Sequence, residues 1–220
     1  EPAPLATKEI TLPEYAEHEV GMIPQLAARF ETAAQLPGAE YLAKLRYLIL
    51  PIREADAVPQ PLRCKTLLEL PRAAFGTVEP DTMRRLAALE GSGFAGVVAN
   101  NLAQFGYASP LPVFGGLGLN VTNPMSAAEY VCLGACGLLV QPETALTAMR
   151  AVAPRQKDGT PVPTAALCYG HLPLMLTRAC PLRNVRTSCA GCTHKGKLRD
   201  RKGRDFPVRC SAPGSAGIRT

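Results

Sequence analysis

The feature that most constrains the fold is an alternation, between residues 23 and 170, of short apolar runs with turns and helix-like stretches. Unbroken apolar runs of this length are typical of strands buried on both faces of a parallel sheet. The runs lie at residues 26–30, 47–51, 66–70, 96–99, 113–121, 137–141 and 164–169. Strands that alternate with helices predict βαβ units. We therefore expect an α/β fold, a TIM-like (β/α) barrel or partial barrel.

The segments between these runs carry helix start and stop signals. Helices are predicted at residues 32–35, 81–90, 126–133 and 142–152, and a loop is predicted at residues 53–63. Pro80 stands at the start of the second helix and Gly91 and Gly93 end it, which is the usual placement of proline and glycine. The predicted elements therefore have the lengths that βαβ units require.

Polar side chains follow several of the predicted strands. They are Asn100, Asn101, Asn120, Asn123, Gln141 and Glu143. Because barrels and open α/β sheets carry their sites at the carboxyl ends of the strands, these residues are candidates for the polar lining of a barrel mouth. Asn and Gln also cap helices and satisfy turns at such positions, which is the structural alternative.

The glycine-rich stretch Gly115, Gly116 and Gly118 lies within a predicted strand rather than at the start of a helix. We interpret it as a close-packing feature, not as a phosphate-binding loop. GxxxxGK[ST] and HExxH motifs do not occur in the sequence, and its one GxGxxG match, at residues 91–96, precedes a predicted strand instead of opening a helix. This excludes the common nucleotide-binding and zinc-protease fingerprints.

The positive charge of the chain is concentrated near its C-terminus. The net charge is +6, yet residues 178–210 alone hold ten Lys or Arg and two Asp. Such a patch attracts polyanions, and nucleic acid is the partner it favours. The structural alternative is a solvated basic tail.

Four cysteines of the same segment have the spacing C-x8-C-x2-C-x17-C, at Cys180, Cys189, Cys192 and Cys210. A CxxC pair with two flanking thiolates predicts a four-sulfur metal site, for either zinc or an iron–sulfur cluster. The Cys180-Pro181 step favours a 4Fe–4S cluster. His194 is a possible substitute ligand. A disulfide pair or inert thiols are the structural alternative.

The other cysteines have the setting of structural thiols. Cys64, Cys132 and Cys136 lie on apolar segments where buried free thiols are common, and Cys168 is predicted to belong to the core. A chain of 220 residues can be stable without disulfides. We therefore expect a reducing, cytoplasmic location.

The residues between Cys192 and Cys210 alternate in charge and contain two glycines, which predicts a β-hairpin. Leu198 and Phe206 are expected to turn inward. The cations of this segment, with Arg183 before it, are the candidate RNA contacts: Arg183, Lys195, Lys197, Arg199, Arg201, Lys202 and Arg204. Contacts of this kind bind phosphates and do not read sequence.

These features divide the chain into three parts. Residues 1–22 are a lead-in or linker, residues 23–170 a (β/α) barrel-like domain, and residues 171–220 a cysteine-rich basic segment that forms a metal-bound hairpin. No apolar run of about 18 residues is present, so we expect no membrane contact. Since the sequence begins at Glu1 without a methionine, we expect it to be a piece of a longer protein.

Several motifs resemble those of the bacterial collagenase-like peptidases, the unassigned peptidase family thirty-two. The motifs are YGHLPLMLTRACPLRN, CAGC and LRDRKGRDFPVRC near the C-terminus, and YLILP, LAARFETAAQLP and GLGLNVTNPMSAAEYVCLGACGLLVQPE upstream. The resemblance covers residues 22–210. It implies a TIM-like barrel that belongs to a long multidomain member, whose N-terminal domains would be partners of this part.

Two activities are attached to that family. One is collagenase-type hydrolysis of peptides. The other, in iron–sulfur members, is hydroxylation of RNA bases or of ubiquinone precursors, and the long form is similar to proteins that hydroxylate a cytidine of ribosomal RNA. In those members the well-described cysteines lie in the N-terminal part. A cluster on Cys180, Cys189, Cys192 and Cys210 is therefore an inference from a parallel pattern.

Three functions follow for this chain. The first is support of iron–sulfur-dependent hydroxylation of ribosomal or transfer RNA. The second is a peptidase, which needs an activated nucleophile or a metal-bound water. The sequence indicates no such pairing for His18, His171 or His194. The third is a non-catalytic RNA-binding or structural module of a multidomain enzyme. The catalytic residues are not identified by the sequence.

Overall fold

The computed structural model describes residues 24–74, 76–108, 111–177, 180–184 and 195–209. Its strands are β1 Leu26–Arg29, β2 Leu45–Pro51, β3 Thr66–Glu69, β4 Gly96–Ala99, β5 Val113–Gly115, β6 Ala135–Val140, β7 Thr164–Ala166, β8 Lys195–Arg199 and β9 Asp205–Arg209. Its α-helices are α1 Ala39–Leu42, α2 Gln60–Arg63, α3 Val78–Ala88, α4 Gln104–Tyr107, α5 Pro124–Cys132 and α6 Leu146–Ala151. Short 3-10 turns lie at Ala33–Gln35, Ile52–Ala57, Leu117–Leu119 and Pro181–Asn184.

The first seven strands form one parallel sheet in the order β1-β2-β3-β4-β5-β6-β7. Each connection moves the chain one strand further in the same direction. Because crossovers between parallel strands are right-handed, all the connecting segments fall on one face of the sheet. The strand order therefore lacks the reversal of doubly wound folds and is that of a curled partial (β/α) barrel.

The helix-covered face of this sheet carries the main core. Leu50, Leu68, Val97 and Val113 form a lateral row through β2, β3, β4 and β5 and pack with Leu86 of α3 and other buried side chains. A second cluster involves β6 residues such as Leu138 and Val140 together with Ala127 of α5. Helix cover therefore accounts for the burial of alternate residues in the inner strands, whereas β1 and β7 at the sheet edges stay mostly exposed.

The opposite, concave face is filled partly by aromatic side chains. The rings of Tyr47 on β2 and Phe114 on β5 meet edge to face with centroids 5.4 Å apart. These strands are three spacings apart, about 14 Å along a flat sheet, so the contact reflects the curl. A Cβ at Gly137 would lie 2.7 Å from Phe114 Cδ1, and one at Gly96 would lie 3.1 Å from its Cε2. Glycines on both flanking strands therefore make room for the Phe114 ring.

Strands β8 and β9 form a separate antiparallel hairpin, as predicted for this segment. Its register pairs Leu198 with Phe206 and Lys195 with Arg209. Leu198 is half-buried, but Phe206 stays 38% exposed, so the expected inward orientation is only partly observed. Within the described residues, no helix is long and apolar enough to cross a membrane.

Predicted and observed elements differ in the connections more than in the strands. The predicted loop at residues 53–63 is wrong, because Ile52–Ala57 forms a 3-10 turn and α2 follows with Pro61 in its first turn, where no backbone donor is needed. The predicted strand at 113–121 ends at Gly115. The last strand ends at Ala166 instead of residue 169.

The cysteine predictions outside the basic segment are half right. Cys64, Cys132, Cys136 and Cys168 are free thiols, as expected. They are not core residues, since only Cys136 is half-buried and the other three are exposed. Cys64 follows α2, Cys132 ends α5 and Cys168 lies beyond the end of β7, so their positions at element ends explain the exposure.

Candidate functional site

The carboxyl edge of the sheet is organised by two buried amides, Asn100 and Gln104. Asn100 donates from Nδ2 to the Leu70 carbonyl at 3.0 Å and accepts from the Gly118 backbone N–H at 3.1 Å. Gln104 accepts from the Asn100 backbone N–H at 2.6 Å and donates to the Pro71 carbonyl at 2.7 Å. These bonds tie together the segments that follow β3, β4 and β5, so both side chains have scaffold roles.

The glycine-rich stretch packs directly against Asn100. A Cβ at Gly116 would lie 2.5 Å from Asn100 Oδ1, and one at Gly118 would lie 2.1 Å from the Asn100 carbonyl oxygen. Both distances are shorter than any real Cβ contact. The interpretation of this stretch as a close-packing feature is therefore confirmed, but its placement within a strand is wrong for Gly116 and Gly118, since β5 ends at Gly115.

The other predicted mouth residues lie in several local settings. Asn123 caps α5 by accepting from the Ser126 backbone N–H at 2.9 Å, and Asn120 ends a 3-10 turn with a positive φ of 54°. Asn101 makes a long contact of 3.5 Å to the Arg72 carbonyl. Among the residues that the structure describes, none is a hydrogen-bond partner for the buried side-chain oxygen of Gln141, and Glu143 is exposed. Asn123 thus matches the helix-cap alternative, and a common polar lining stays a prediction.

A charged cluster at the carboxyl ends of β1 and β3 was not anticipated from the sequence. The Arg29 guanidinium contacts Glu69 at 2.7 Å and Glu31 at 2.7 Å, and Arg53 lies 3.5 Å from Glu31. Burial opposes the charge of Arg29, but the two carboxylates outweigh it and raise the pKa of the guanidinium above its usual value. The one sequence signal was Glu69 itself, a carboxylate inside an apolar run.

The described part of the cysteine segment places one of the four predicted ligands. Cys180 is half-buried and immediately precedes the 3-10 turn Pro181–Asn184. Leu182 of this turn packs against β8, because a Cβ at Gly196 would lie 2.6 Å from both Leu182 methyl carbons. Cys189, Cys192, His194 and Cys210 lie outside the described residues, within which no group of three potential metal ligands occurs.

The hairpin has one apolar and one basic face. Gly196 and Leu198 alternate with Lys195, Lys197 and Arg199, and the pleat places the cations together on the opposite face. The turn carries Arg201, Lys202 and Arg204, and the six cations from Lys195 to Arg204 are all exposed. The side chain of Arg183 is not among the described ones. The exposed cations therefore lie on one hairpin face and at its tip, and we call them together the basic surface.

Two aspartates organise this basic surface. Asp200 Oδ1 accepts from the backbone N–H groups of Lys202 and Arg204, each at 2.8 Å, and so closes the turn. Asp205 is held by Arg199 at 2.7 and 3.1 Å and by Lys197 Nζ at 2.7 Å. Hydrogen bonds first from Arg199 and then from Lys197 lower the pKa of the Asp205 carboxyl to about 2.

Comparison with known proteins finds a likeness in structure and none in sequence. No protein-family model and no curated protein matches the chain. The structure is similar to that of the U32 peptidase Mk0906, with a TM-score of 0.45 and 13% sequence identity, over 66% of this chain and 71% of that chain. The family resemblance of the sequence motifs therefore stays a prediction.

Proposed function

We propose that this chain is the RNA-binding and metal-holding part of an enzyme that hydroxylates a base of ribosomal or transfer RNA, with cytidine as the target base. The observation that carries the proposal is the basic surface of the hairpin β8–β9. It presents cations on one face and at the tip, while its apolar face packs toward Leu182. A rigid hairpin with this division fits the phosphate backbone of a polyanion.

The composition of the hairpin favours backbone contacts over base contacts. Phe206 is its one aromatic residue, and its ring is only 38% exposed. Stacking of several bases on this surface is therefore not supported. The hairpin would position an RNA strand, and recognition of the target base would fall to other parts of the whole protein.

The contacts and register of the hairpin also support the proposal that the four cysteines lie close together. Packing of Leu182 on Gly196 brings the turn after Cys180 onto β8. The antiparallel register brings Lys195 and Arg209 together, and in sequence Cys192 lies three residues before Lys195 while Cys210 directly follows Arg209. We infer that Cys180, Cys189, Cys192 and Cys210 hold one metal centre at the open end of the hairpin.

Four thiolates suit a 4Fe–4S cluster and equally a tetrahedral zinc ion. A cluster, when bound, would supply electron transfer to an oxidation whose oxygen donor binds elsewhere, whereas a zinc ion has no redox chemistry. In this proposal the chain's own residues contribute the thiolate ligands and the turn after Cys180, whose Leu182 packs against Gly196 on the apolar face of the hairpin. The iron–sulfur cluster is therefore part of the proposal, with zinc as the alternative outcome of the test below.

The proposal does not include a peptidase. Peptide hydrolysis needs an activated nucleophile or a metal-bound water. His171 is exposed, and within the described part of the chain it forms no hydrogen bond to a serine, threonine or cysteine. No specific observation therefore favours peptidase activity.

Replacement of Arg201, Lys202 and Arg204 by Gln tests the RNA proposal. We expect RNA affinity to fall, and the slope of log affinity against log salt to flatten by about 2, since each contact with single-stranded RNA contributes about 0.7. The control replaces Lys44, Arg150 and Lys157, which are exposed and lie outside the hairpin, and so removes the same total charge. Equal losses for both variants, or unchanged affinity for the tip variant, would refute the proposal.

Metal analysis of anaerobically purified protein tests the cluster. We expect iron and acid-labile sulfide in equal amounts, a brown colour, and loss of both on Cys180→Ser. The matched control is Cys168→Ser, an exposed thiol outside the proposed ligand set. Colourless protein that holds one zinc per chain would reject the iron–sulfur part of the proposal.

A further inference from the structure

Lys197, Arg199 and Asp205 form a closed set of charges on the basic face of the hairpin. Arg199 contacts both Asp205 oxygens, at 2.7 and 3.1 Å, and Lys197 Nζ adds a third contact at 2.7 Å. The pairing follows from the register, since Arg199 lies opposite Asp205 and Lys197 is on the same face two residues earlier. All three side chains are accessible to solvent, with exposures of 62%, 62% and 37% in that order.

This arrangement has the geometry of a phosphate site. A guanidinium fork matches two oxygens of a carboxylate or of a phosphate in the same way, and an ammonium group adds a point charge. We propose that Lys197 and Arg199 form a phosphate-binding clamp, that Asp205 occupies it when RNA is absent, and that an RNA phosphate must displace Asp205 to bind there. This inference rests on the proposed RNA-binding function and assigns Asp205 the role of setting RNA affinity.

The tip cations differ from the two clamp cations in their ion pairing. Arg201, Lys202 and Arg204 form no ion pair within the part of the chain that the structure describes. They are therefore available to phosphates without displacement of a carboxylate. Exposed ion pairs are weak and are screened by salt, so a phosphate of a strand already held at the tip can compete for the clamp.

Asp205→Asn removes the competing charge, and the chain offers a matched control in Asp200→Asn. Both changes remove one negative charge from the same hairpin. Asp200 Oδ1 accepts two backbone N–H bonds in the turn, and the amide oxygen of Asn can accept the same two bonds. The control thus alters the charge without opening the clamp, which separates displacement from a general charge effect.

The experiment measures the affinity of the purified chain for a labelled single-stranded RNA of about 16 nucleotides across a salt series. We expect Asp205→Asn to bind more tightly than Asp200→Asn. We also expect its salt slope to be steeper by about 1.4, since two released cations each contribute about 0.7. Adding Lys197→Met and Arg199→Met to the Asp205→Asn chain should abolish the gain.

Equal gains for the two aspartate variants would overturn the inference, because charge alone would then explain them. The same holds for an Asp205→Asn chain whose gain survives loss of both clamp cations. In the wild-type chain, the clamp double variant should lose less affinity than Arg201→Met with Lys202→Met, and an equal loss would also refute the clamp. This comparison does not require Asp205→Asn to fold.

The outcomes separate this inference from the proposed function. If the wild-type chain binds RNA through its tip cations but the two aspartate variants behave alike, the clamp is wrong and the RNA-binding proposal stands. If neither the wild-type chain nor any variant binds RNA, the proposed function fails and the clamp fails with it.

Discussion

Replacement of Asn100 by Ala tests whether the carboxyl edge of the sheet is held by this side chain or only lined by it. Asn100 is 5% exposed, and its side chain satisfies the Leu70 carbonyl at 3.0 Å and the Gly118 N–H at 3.1 Å. Truncation leaves the buried Leu70 carbonyl and the part-buried Gly118 N–H without this partner. An unsatisfied buried group costs about 1–3 kcal/mol, so the two together cost about 2–6 kcal/mol.

That loss is a substantial fraction of the free energy of unfolding of an ordinary domain, which is about 5–15 kcal/mol. We expect the melting temperature to fall by about 4–24 °C in a chain of this size, at about 2–4 °C per kcal/mol. Chemical denaturation followed by circular dichroism gives the free energy of unfolding directly. Asn101→Ala is the matched control. Within the described ranges the Asn101 side chain makes only the 3.5 Å contact to the Arg72 carbonyl, so its loss should change stability by less than about 0.5 kcal/mol.

The reasoning is refuted if Asn100→Ala and Asn101→Ala have the same stability. In that case the side chain of Asn100 would contribute nothing to the fold, and its position at the carboxyl ends of β3, β4 and β5 would need another explanation. A difference of the expected size would instead support the scaffold role of Asn100 at this edge of the sheet.

Three further predictions follow from the structure. Gly118→Ala should destabilise the chain by about 1–3 kcal/mol in thermal denaturation, because the added Cβ would meet backbone atoms of Asn100. The control Gly106→Ala should be neutral or stabilising, because its Cβ would meet no described atom within 4 Å. The Asp205 carboxyl should titrate near pH 2 in NMR. Because its pKa in the folded chain lies below the ordinary 3.8, its contribution to hairpin stability is complete above about pH 4 and is lost as the pH falls through about 2. A titration midpoint near 3.8 would contradict the clamp geometry. Gly196→Val should displace Leu182 and lower the metal content per chain. The control Pro207→Val should not lower it, because Pro207 is paired with Lys197 on the other hairpin face. Equal metal contents in the two variants would argue against coupling of the Cys180 turn to the hairpin.

The central strands β3 and β4 could be predicted because each is a short, mostly apolar run that is buried at nearly every position. The segments at 66–70 and 96–99 match β3 and β4 within a residue. The hairpin and the shared face of Lys197 and Arg199 likewise follow from local alternation.

The remaining features depend on contacts between distant residues. Arg29 and Glu69 are 40 residues apart in sequence and pair only because β1 and β3 lie on either side of β2. The scaffold role of Asn100 depends on the close approach of Gly116 and Gly118 after β5. The ion pairs of Lys197 and Arg199 with Asp205 depend on the strand register, which a count of charges in the sequence does not provide.

The measurement that tests the central claim most directly is nucleoside mass spectrometry of ribosomal and transfer RNA from cells with and without the gene for this protein. The proposed function predicts that the deletion strain lacks one cytidine derivative heavier than its parent by one oxygen atom. The intact gene should restore that nucleoside, and a gene carrying Cys180→Ser should not. Identical nucleoside profiles in the two strains would contradict the proposed RNA hydroxylation.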